Sequence, residues 1–184
     1  MTETPNPSTA ELLAIEPLVN GNIGAAQDEL VRRLRALLPD LITAFNSGNG
    51  WTSVTGITPV KPQDVGLAPT VLSDAHIGAI LVKVSVETAP EGIGGTFRNS
   101  AKVEVFSIDG RLQSAQQVRV EWRRSEAIRL CLFPFLSGCV NASGQRVWRS
   151  LQPQGYSLLS GDWAKAYSGT VTTFSLVQSP SESY

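Results

Sequence analysis

The residues best suited to chemistry are arginines, which cluster in two stretches of the chain. Arginine supplies eleven of the fifteen basic residues, and its planar guanidinium forms bidentate hydrogen bonds with carboxylates and phosphates. The stretches "AAQDELVRRLRALLP" and "VRVEWRRSEAIRL" together carry Arg32, Arg33, Arg35, Arg123, Arg124 and Arg129. Such a pattern fits a phosphate or nucleic-acid site, or a surface that pairs with another protein.

The overall charge helps to separate these interpretations. The chain of 184 residues has a formal net charge of −1 and a pI of about 5.8, whereas non-specific nucleic-acid binding depends on a basic excess. Arginine is also favoured at protein interfaces. We therefore interpret the arginines first as protein contacts, second as a solvated face and third as a nucleic-acid site. The predicted interface residues among them are Arg32, Arg33, Arg35, Arg123 and Arg124.

A glycine cluster in "TAPEGIGGTFRNS", residues 88–100, could suggest a phosphate cradle. A P-loop also needs a Lys and a Ser or Thr after its glycines, and then a helix, whereas a predicted strand follows here. Thirteen residues with three glycines exceed what a hairpin needs, so we interpret the segment as a loop that contacts a partner. Its candidate contact residues are Gly92, Ile93, Gly94, Gly95, Phe97 and Arg98.

The sequence offers no clear catalytic or metal-binding constellation. His76 is the sole histidine, and Asp74 nearby does not make a triad, which needs a nucleophile, a base and an orienting group. Cys131 and Cys139 would lie roughly 12 Å apart on a continuous helix, beyond the ~7 Å limit of a disulfide, so we expect two buried thiols. Acidic residues permit a carboxylate pair, but no spacing singles one out. We predict no enzymatic activity, no catalytic or metal-binding residues and no cofactor.

An amphipathic helix must position the first arginine stretch. From Asn22, apolar residues recur with helical spacing, and we expect the helix to turn Leu30, Leu34, Leu37 and Leu41 toward a sheet. Pro39 should end or kink it. We predict a single domain over residues 22–178, with a flexible N-terminal arm over residues 1–21 and a C-terminal tail over residues 179–184.

Three segments read as half-buried or β-rich strands, namely residues 77–87, 101–108 and 169–178. The section of residues 51–73 carries three prolines, which favours an edge strand and loop. The pattern of residues 145–163 predicts a loop with short extended pieces.

The second arginine stretch is ambiguous. The alternation of Val118 and Val120 favours a third strand, followed by a helix over residues 126–137. The alternative is one long helix from about residue 113, because no glycine or proline interrupts the segment before Pro134. Local propensity does not decide between them.

The order of elements predicts an α+β fold, with a single mixed or antiparallel sheet, two main helices packed on one face, and long loops. No run of about 18 apolar residues predicts a membrane span. The N-terminus also lacks the pattern of a signal peptide, so we expect synthesis in a cytoplasm.

The layout resembles that of bacteriophage tail terminator proteins, also called tail completion or head-tail joining proteins. The similar features are the helix "AAQDELVRRLRALLP", the strands "ILVKVSVE" and "AKVEVFSI" around a glycine-rich loop, the segment ending "RLCLFPFLSG", and the strand "VTTFSLV". The resemblance implies a virion structural protein of the tail and neck, assembled in the host cytoplasm as a homo-hexameric ring that caps the tail tube.

The same resemblance implies partners and one structural detail. The partners would be the tail tube protein and a neck or connector protein, with a sheath as a further candidate, and DNA would pass through the channel without specific binding. The family places a long helix after the second strand, which favours the helical alternative for the second arginine stretch.

The residues also leave open a small α+β module that binds a ligand or nucleic acid through its basic helix. Under the interface interpretation, Arg123 and Arg124 pair with carboxylates of a neighbouring subunit or tail protein. Their replacement should then weaken assembly and barely alter the stability of an isolated monomer.

Overall fold

The computed structural model describes residues 9–52, 56–87, 100–110, 115–141, 144 and 146–177, and only the backbone of residues 9–22, 87 and 115–118. Within these ranges the chain forms two α-helices, a mixed five-stranded sheet and a small two-stranded sheet. This arrangement confirms the predicted α+β class and adds the second, smaller sheet to it.

Helix α1 spans Thr9–Gly48 and helix α2 spans Ala115–Leu132. The first helix therefore begins thirteen residues before its predicted start at Asn22, and the backbone of residues 9–21 is helical where we expected a flexible arm. The segment "AELLAIE" consists mainly of residues with high helix propensity, which explains the earlier start. Residues 1–8 and 178–184 lie outside the described residues.

Pro39 does not end α1, which continues to Gly48. A proline inside a helix removes one main-chain hydrogen bond, and the fully buried side chains of Leu38 and Ile42 on either side hold this turn against the core. Of the two predicted effects of Pro39, an end of the helix is wrong, because tertiary packing outweighs the local loss, and a kink stays a prediction.

The core-facing side of α1 was predicted in part. Leu30 and Leu34 are fully buried as expected, and Leu41 is partly buried against the core. The prediction for Leu37 is wrong, because its side chain is 40% exposed while that of Leu38 beside it is fully buried. The buried positions follow a spacing of four residues from Leu30 to Leu38, which turns Leu37 away from the sheet.

Seven strands make up the two sheets: β1 Val65–Leu67, β2 Ile80–Glu87, β3 Ser100–Asp109, β4 Cys139–Val140, β5 Arg146–Trp148, β6 Ser150–Leu158 and β7 Ser168–Val177. The large sheet has the order β1-β2-β3-β7-β6, in which only β1 and β2 are parallel. Strands β4 and β5 pair separately. Both α-helices pack on the same face of the large sheet, as the sequence predicted.

The two faces of the large sheet differ. Along β3, Val103 and Val105 point into the main core with α1 and α2, while Phe106 and Ile108 belong to a smaller apolar cluster on the opposite face. The alternation of side chains along a strand produces this division. Within that smaller cluster, Phe106 meets Trp163 edge to face, with ring centroids 5.0 Å apart.

The nine-residue strand β6 is a correction to the prediction for residues 145–163, which was a loop with only short extended pieces. It pairs with β7 along its whole length, yet it is an edge strand, and its residues from Gln152 to Leu158 are exposed. Pro153 and the irregularity before Gly155 are typical of a protected sheet edge. No alternation of buried residues marked this strand in the sequence. The predicted edge strand within residues 51–73 is present as the short β1.

The second arginine stretch is helical, as the alternative with a long helix predicted. Helix α2 ends at Leu132, and Pro134 lies in the 3₁₀ turn Phe133–Phe135 that follows. Pro134 thus sits just beyond the α-helix, where a proline is tolerated.

Candidate functional site

One side of α2 faces the sheet, and its buried residues change from polar to apolar along the helix. Positions 121, 124, 125, 128 and 132 follow the spacing of a single helical face. The last two are Ile128 and Leu132, which belong to the apolar core, whereas Glu121, Arg124 and Ser125 are polar and at most 1% exposed. The first half of α2 therefore buries charge against the sheet.

Strands β3 and β7 supply the opposing groups. Ser107 and Asp109 alternate on the helix-facing side of β3, and Ser107 lies opposite Thr170 of β7. Arg124 Nη1 donates hydrogen bonds to Ser107 Oγ and Asp109 Oδ2, both at 2.9 Å. Ser125 Oγ donates to Thr170 Oγ1 at 2.6 Å. We call Ser107, Asp109, Glu121, Arg124, Ser125 and Thr170 the polar cluster.

Several polar atoms at this interface lack a hydrogen-bond partner within the part of the chain that the structure describes. They are Nε and Nη2 of Arg124 and Oγ1 of Thr172, whereas the protonated carboxyl group of Glu121 hydrogen-bonds to that of Asp109. Buried polar atoms are nearly always satisfied in native proteins, so the two unpartnered atoms of Arg124 distinguish the polar cluster, to which Thr172 does not belong, from the surrounding core.

The electrostatics of the polar cluster favour a neutral acid. Burial and, next, the negative charge of Asp109 raise the pKa of Glu121 from 4.5 to about 7, against the opposing effect of Arg124. Burial also raises the pKa of Asp109, again opposed by Arg124. Two carboxyl groups thus share one guanidinium. When one of the two carboxyl groups is protonated, the net charge of Glu121, Asp109 and Arg124 is zero. Burial favours this uncharged total.

This arrangement is suited to a structural role that depends on a proton. Among the described residues that form it, the cluster presents two acids and a guanidinium but no thiol or imidazole. The pair Arg124–Asp109 joins α2 to the end of β3. Because this ion pair holds α2 against β3, the position of the helix depends on the charge state of Asp109 and Glu121.

The predicted interface role of Arg124 is contradicted. Its side chain is 0% exposed and bonds within the chain, so it does not reach a neighbouring subunit. Arg123 lies over the ring of Trp51, with its guanidinium carbon 4.0 Å from the ring centroid, a favourable cation–π geometry. The two adjacent arginines therefore have different environments, because helical rotation turns one toward the sheet and the other toward the end of α1.

The arginines of α1 also bond within the chain. Arg32 forms two hydrogen bonds with Glu29, at 2.8 and 2.6 Å. Arg33 donates to Glu29 at 2.7 Å and to the carbonyl of Val140 at 3.1 Å, and Arg35 donates to the carbonyl of Val65 at 2.8 Å. The hydrogen bonds of Arg32, foremost, hold the pKa of Glu29 below its ordinary value. These contacts leave the interface role of the three residues a prediction.

The remaining predicted residues divide into two groups. The loop residues Gly92, Ile93, Gly94, Gly95, Phe97 and Arg98 lie outside the described residues. Cys131 and Cys139 are buried free thiols, as expected, and burial raises the pKa of Cys131 to about 12. His76 belongs to the 3₁₀ turn Asp74–His76, where its Nδ1 accepts a hydrogen bond from the main-chain N–H of Ser73 at 3.0 Å.

Two unlike open edges bound the large sheet. In an antiparallel pair, every second residue bonds to the partner strand, and the main-chain groups of the residues between point away from it. Leu159 N donates to Gly169 O of β7, so the main-chain groups of Tyr156 and Leu158 point away from β7. Their side chains are 45% and 48% exposed. At the other edge, Leu67 of β1 is 50% exposed. It borders a shallow groove of about 530 Å³ under α1.

Sequence reasoning found the arginines but missed the acids and hydroxyl groups that bind them. The available signal was the shared face of α2, because Glu121, Arg124 and Ser125 stand at helical spacing from Ile128 and Leu132. That pattern predicts burial of polar residues once the segment is known to be a helix.

No family model matches the chain and no curated protein is detectably similar to it in sequence. Among the described helices, neither is long and apolar enough to cross a membrane.

Proposed function

We propose that the chain is a structural subunit of a virion that acts by self-assembly, similar in layout to a tail terminator, and that it forms a ring through unlike surfaces. The element order of the fold, a long helix, paired strands, a second helix and a final strand, is compatible with the resemblance noted in the sequence. Function in this account requires docking and no covalent chemistry.

The observation that carries the proposal is the pair of open sheet edges. Strands β1 and β6 terminate opposite sides of the sheet, four strand spacings or about 19 Å apart, and each presents exposed apolar side chains. A cyclic assembly needs two different surfaces on opposite sides of one subunit. On β6 the open part of the edge is Tyr156–Leu158, which lies beyond Pro153 and the irregularity before Gly155. Pairing of this part with an edge of the next subunit satisfies the requirement.

The arginines give less support to a nucleic-acid module. Arg32, Arg33, Arg35 and Arg124 all bond to groups of the same chain, so much of their capacity for phosphate is already used. The net charge of −1 points the same way.

The mass of the purified chain in solution tests the proposal. A hexamer of the 19.7 kDa chain has a mass of about 118 kDa, measurable by light scattering, and rings should appear in negative-stain micrographs. A monomer at tens of micromolar subunit concentration, combined with salt-sensitive retention on nucleic acid, would instead favour a binding module.

A pair of matched variants tests the edge itself. Leu158→Lys places a charge on the open edge of β6 and should abolish the ring while leaving the far-ultraviolet circular dichroism unchanged. Ile77→Lys is the control, because Ile77 has the same exposed fraction of 48% and lies outside the strands. Loss of assembly in both variants would show a general effect of charge, and loss in neither would exclude the β6 edge.

A further inference from the structure

The open parts of the two sheet edges lie in the same rows of the large sheet, where a row is the set of residues that face one another across neighbouring strands. The row of Leu67 contains Leu67, Val82, Val105, Thr172 and Tyr156. In the same way, Gly66 shares a row with Ser157, and Val65 shares a row with Leu158. Strand β1 and the open segment of β6 therefore lie at the same height along the strands.

Leu67 is the residue of β1 with open main-chain groups. Ala68 N donates to Val82 O of β2 at 2.9 Å. Because successive residues of a strand direct their main-chain groups to opposite sides, the N–H and the carbonyl of Leu67 point away from β2. Neither group has a hydrogen-bond partner within the part of the chain that the structure describes. Leu67 thus offers the same pair of outward groups on β1 that Tyr156 offers on β6.

Val65 also turns its main-chain groups away from β2, but they are already bonded. Its N–H donates to Pro62 O in the turn before β1, and its carbonyl accepts a hydrogen bond from Arg35 Nε at 2.8 Å. A strand that adds to this edge must therefore bond mainly to Leu67.

The strand directions and the side-chain faces agree with a contact between the two edges. Strand β1 runs parallel to β2, whereas β6 runs opposite to β2, because three antiparallel pairs separate them. A second copy beside the first in the same orientation thus brings its β6 antiparallel to β1. Tyr156 packs on Trp122 of α2, with ring centroids 4.8 Å apart, and Leu67 borders the groove under α1. Both side chains lie on the face of the sheet that carries the helices.

We propose that β1 of one copy pairs antiparallel with β6 of the next copy, with Leu67 opposite Tyr156. Two residues in such a position exchange both of their main-chain hydrogen bonds, so the open groups of Leu67 and Tyr156 satisfy each other. Their side chains then lie next to each other, which places the Tyr156 ring beside Val31 and Ala36 of the groove under α1. The inference rests on the proposed self-assembly, to which it adds the partner edge and the register.

Disulfide cross-linking of the double variant Leu67→Cys with Tyr156→Cys tests the register. The Cα atoms of a hydrogen-bonded antiparallel pair are about 5.5 Å apart, within the range of a disulfide. Each copy brings one new cysteine to each of two contacts, so oxidation should give a ladder of dimers, trimers and larger species on a non-reducing gel. The two single variants should give no ladder, because Cys131 and Cys139 are buried.

A second double variant, Leu67→Cys with Leu158→Cys, is the matched control for the register. Diagonal neighbours on paired strands are about 7 to 8 Å apart, beyond the ~7 Å limit of a disulfide. A ladder from this variant and none from the Tyr156 variant would contradict the proposed pair. A cross-linked dimer of either single variant would show that like edges meet, and would also overturn it.

Light scattering of the reduced proteins separates this inference from the proposed function. Assembly of the double variant without a cross-link would overturn the pairing of β1 with β6 and leave self-assembly standing. A monomeric unmodified chain would overturn both proposals.

Leu67→Pro gives a test that does not depend on the replacement of Tyr156. Proline lacks the outward N–H, which takes no part in the pairing of β1 with β2, so this variant should keep its far-ultraviolet circular dichroism and lose assembly. Leu67→Ala keeps the N–H and should still assemble. Normal assembly of Leu67→Pro would contradict the proposal, and so would loss of assembly in both variants, because the side chain and not the main chain would then form the contact.

Discussion

Helix α2 carries two acid–arginine pairs of the same spacing in opposite environments. Glu126–Arg129 is solvent-exposed, with side-chain exposures of 38% and 46%, and closes on itself with a shortest distance of 2.7 Å. Glu121 and Arg124 lie on the side of α2 that faces the sheet. Both are at most 1% exposed and form no direct hydrogen bond with each other. Arg124 bonds instead to Asp109, fifteen residues earlier in the chain.

The difference shows how burial changes the use of an identical local motif. A solvent-exposed ion pair contributes little to the free energy of unfolding, because water screens the charges and the paired side chains lose conformational entropy. Under α2 the guanidinium is desolvated and needs a carboxylate that stays charged. Asp109, which remains 20% exposed, is the better partner, and the more deeply buried Glu121 takes the proton.

The largest expected effect comes from removing the buried guanidinium. Arg124→Ala leaves Asp109 and Glu121 without their counter-charge and should lower the free energy of unfolding by about 3 to 5 kcal/mol. Arg129→Ala is the matched control on the same helix and should leave stability unchanged within error. Urea denaturation at equal subunit concentrations measures both. Equal losses in the two variants would contradict the distinction between the sites.

This outcome also differs from the expectation drawn from the sequence. There, loss of Arg123 and Arg124 was expected to affect assembly and to spare the monomer. Because Arg124 is 0% exposed, its replacement should act mainly on the fold.

The next effect is a pH dependence of stability. The pKa of Glu121 is raised from 4.5 to about 7, so the folded chain holds a proton that the unfolded chain releases in this window. The contribution of this group is therefore fully present below about pH 4.5 and is lost as the pH rises to about 7, by on the order of 3 kcal/mol. The raised pKa of Asp109 acts in the same direction.

Glu121→Gln isolates this contribution, because an amide does not titrate. Unfolding free energies of the two proteins, compared from pH 4 to pH 8, should converge at the acidic end and separate toward the basic end, with the variant more stable there. Parallel curves would mean that the pKa of Glu121 is the same in the folded and the unfolded chain, so that burial does not raise it. The charged groups of the described chain that act on Glu121 are Asp109 from β3 and Arg124 from α2.

The smallest effect concerns the neutral part of the polar cluster. Thr170→Val removes the acceptor of the Ser125 hydroxyl, which is 0% exposed, and should lower the free energy of unfolding by about 1 to 3 kcal/mol. Ser125→Ala combined with Thr170→Val removes both polar groups and should recover part of this loss. A double variant no more stable than Thr170→Val alone would show that the hydroxyl pair is not the cause.

The parts of the fold that the sequence predicted are those with local periodicity. Leu30 and Leu34 mark a helical face, and the alternation of Val103 and Val105 marks a strand, because each pattern repeats within a few residues. Strand β6 has one side open to solvent and carries Pro153 and Gly155, so no pattern distinguished it from a loop.

The polar cluster was beyond local reasoning for a different reason. Glu121-x-x-Arg124 and Glu126-x-x-Arg129 look alike in sequence, and only the long-range packing of α2 on β3 and β7 decides which one is buried. The arginines of α1 illustrate the same limit, since the carbonyls that bind Arg33 and Arg35 belong to Val140 and Val65, which are distant in sequence.

The most direct test of the account is the titration of Glu121 itself. Carbon-13 chemical shifts of its side-chain carboxyl group, assigned by comparison with Glu121→Gln, report the protonation state in the folded chain. The account predicts a midpoint near pH 7, because burial and the charge of Asp109 raise the pKa of Glu121 to about 7. A midpoint close to the ordinary value of 4.5 would contradict it, since the buried acid would then be charged at neutral pH like an acid in water.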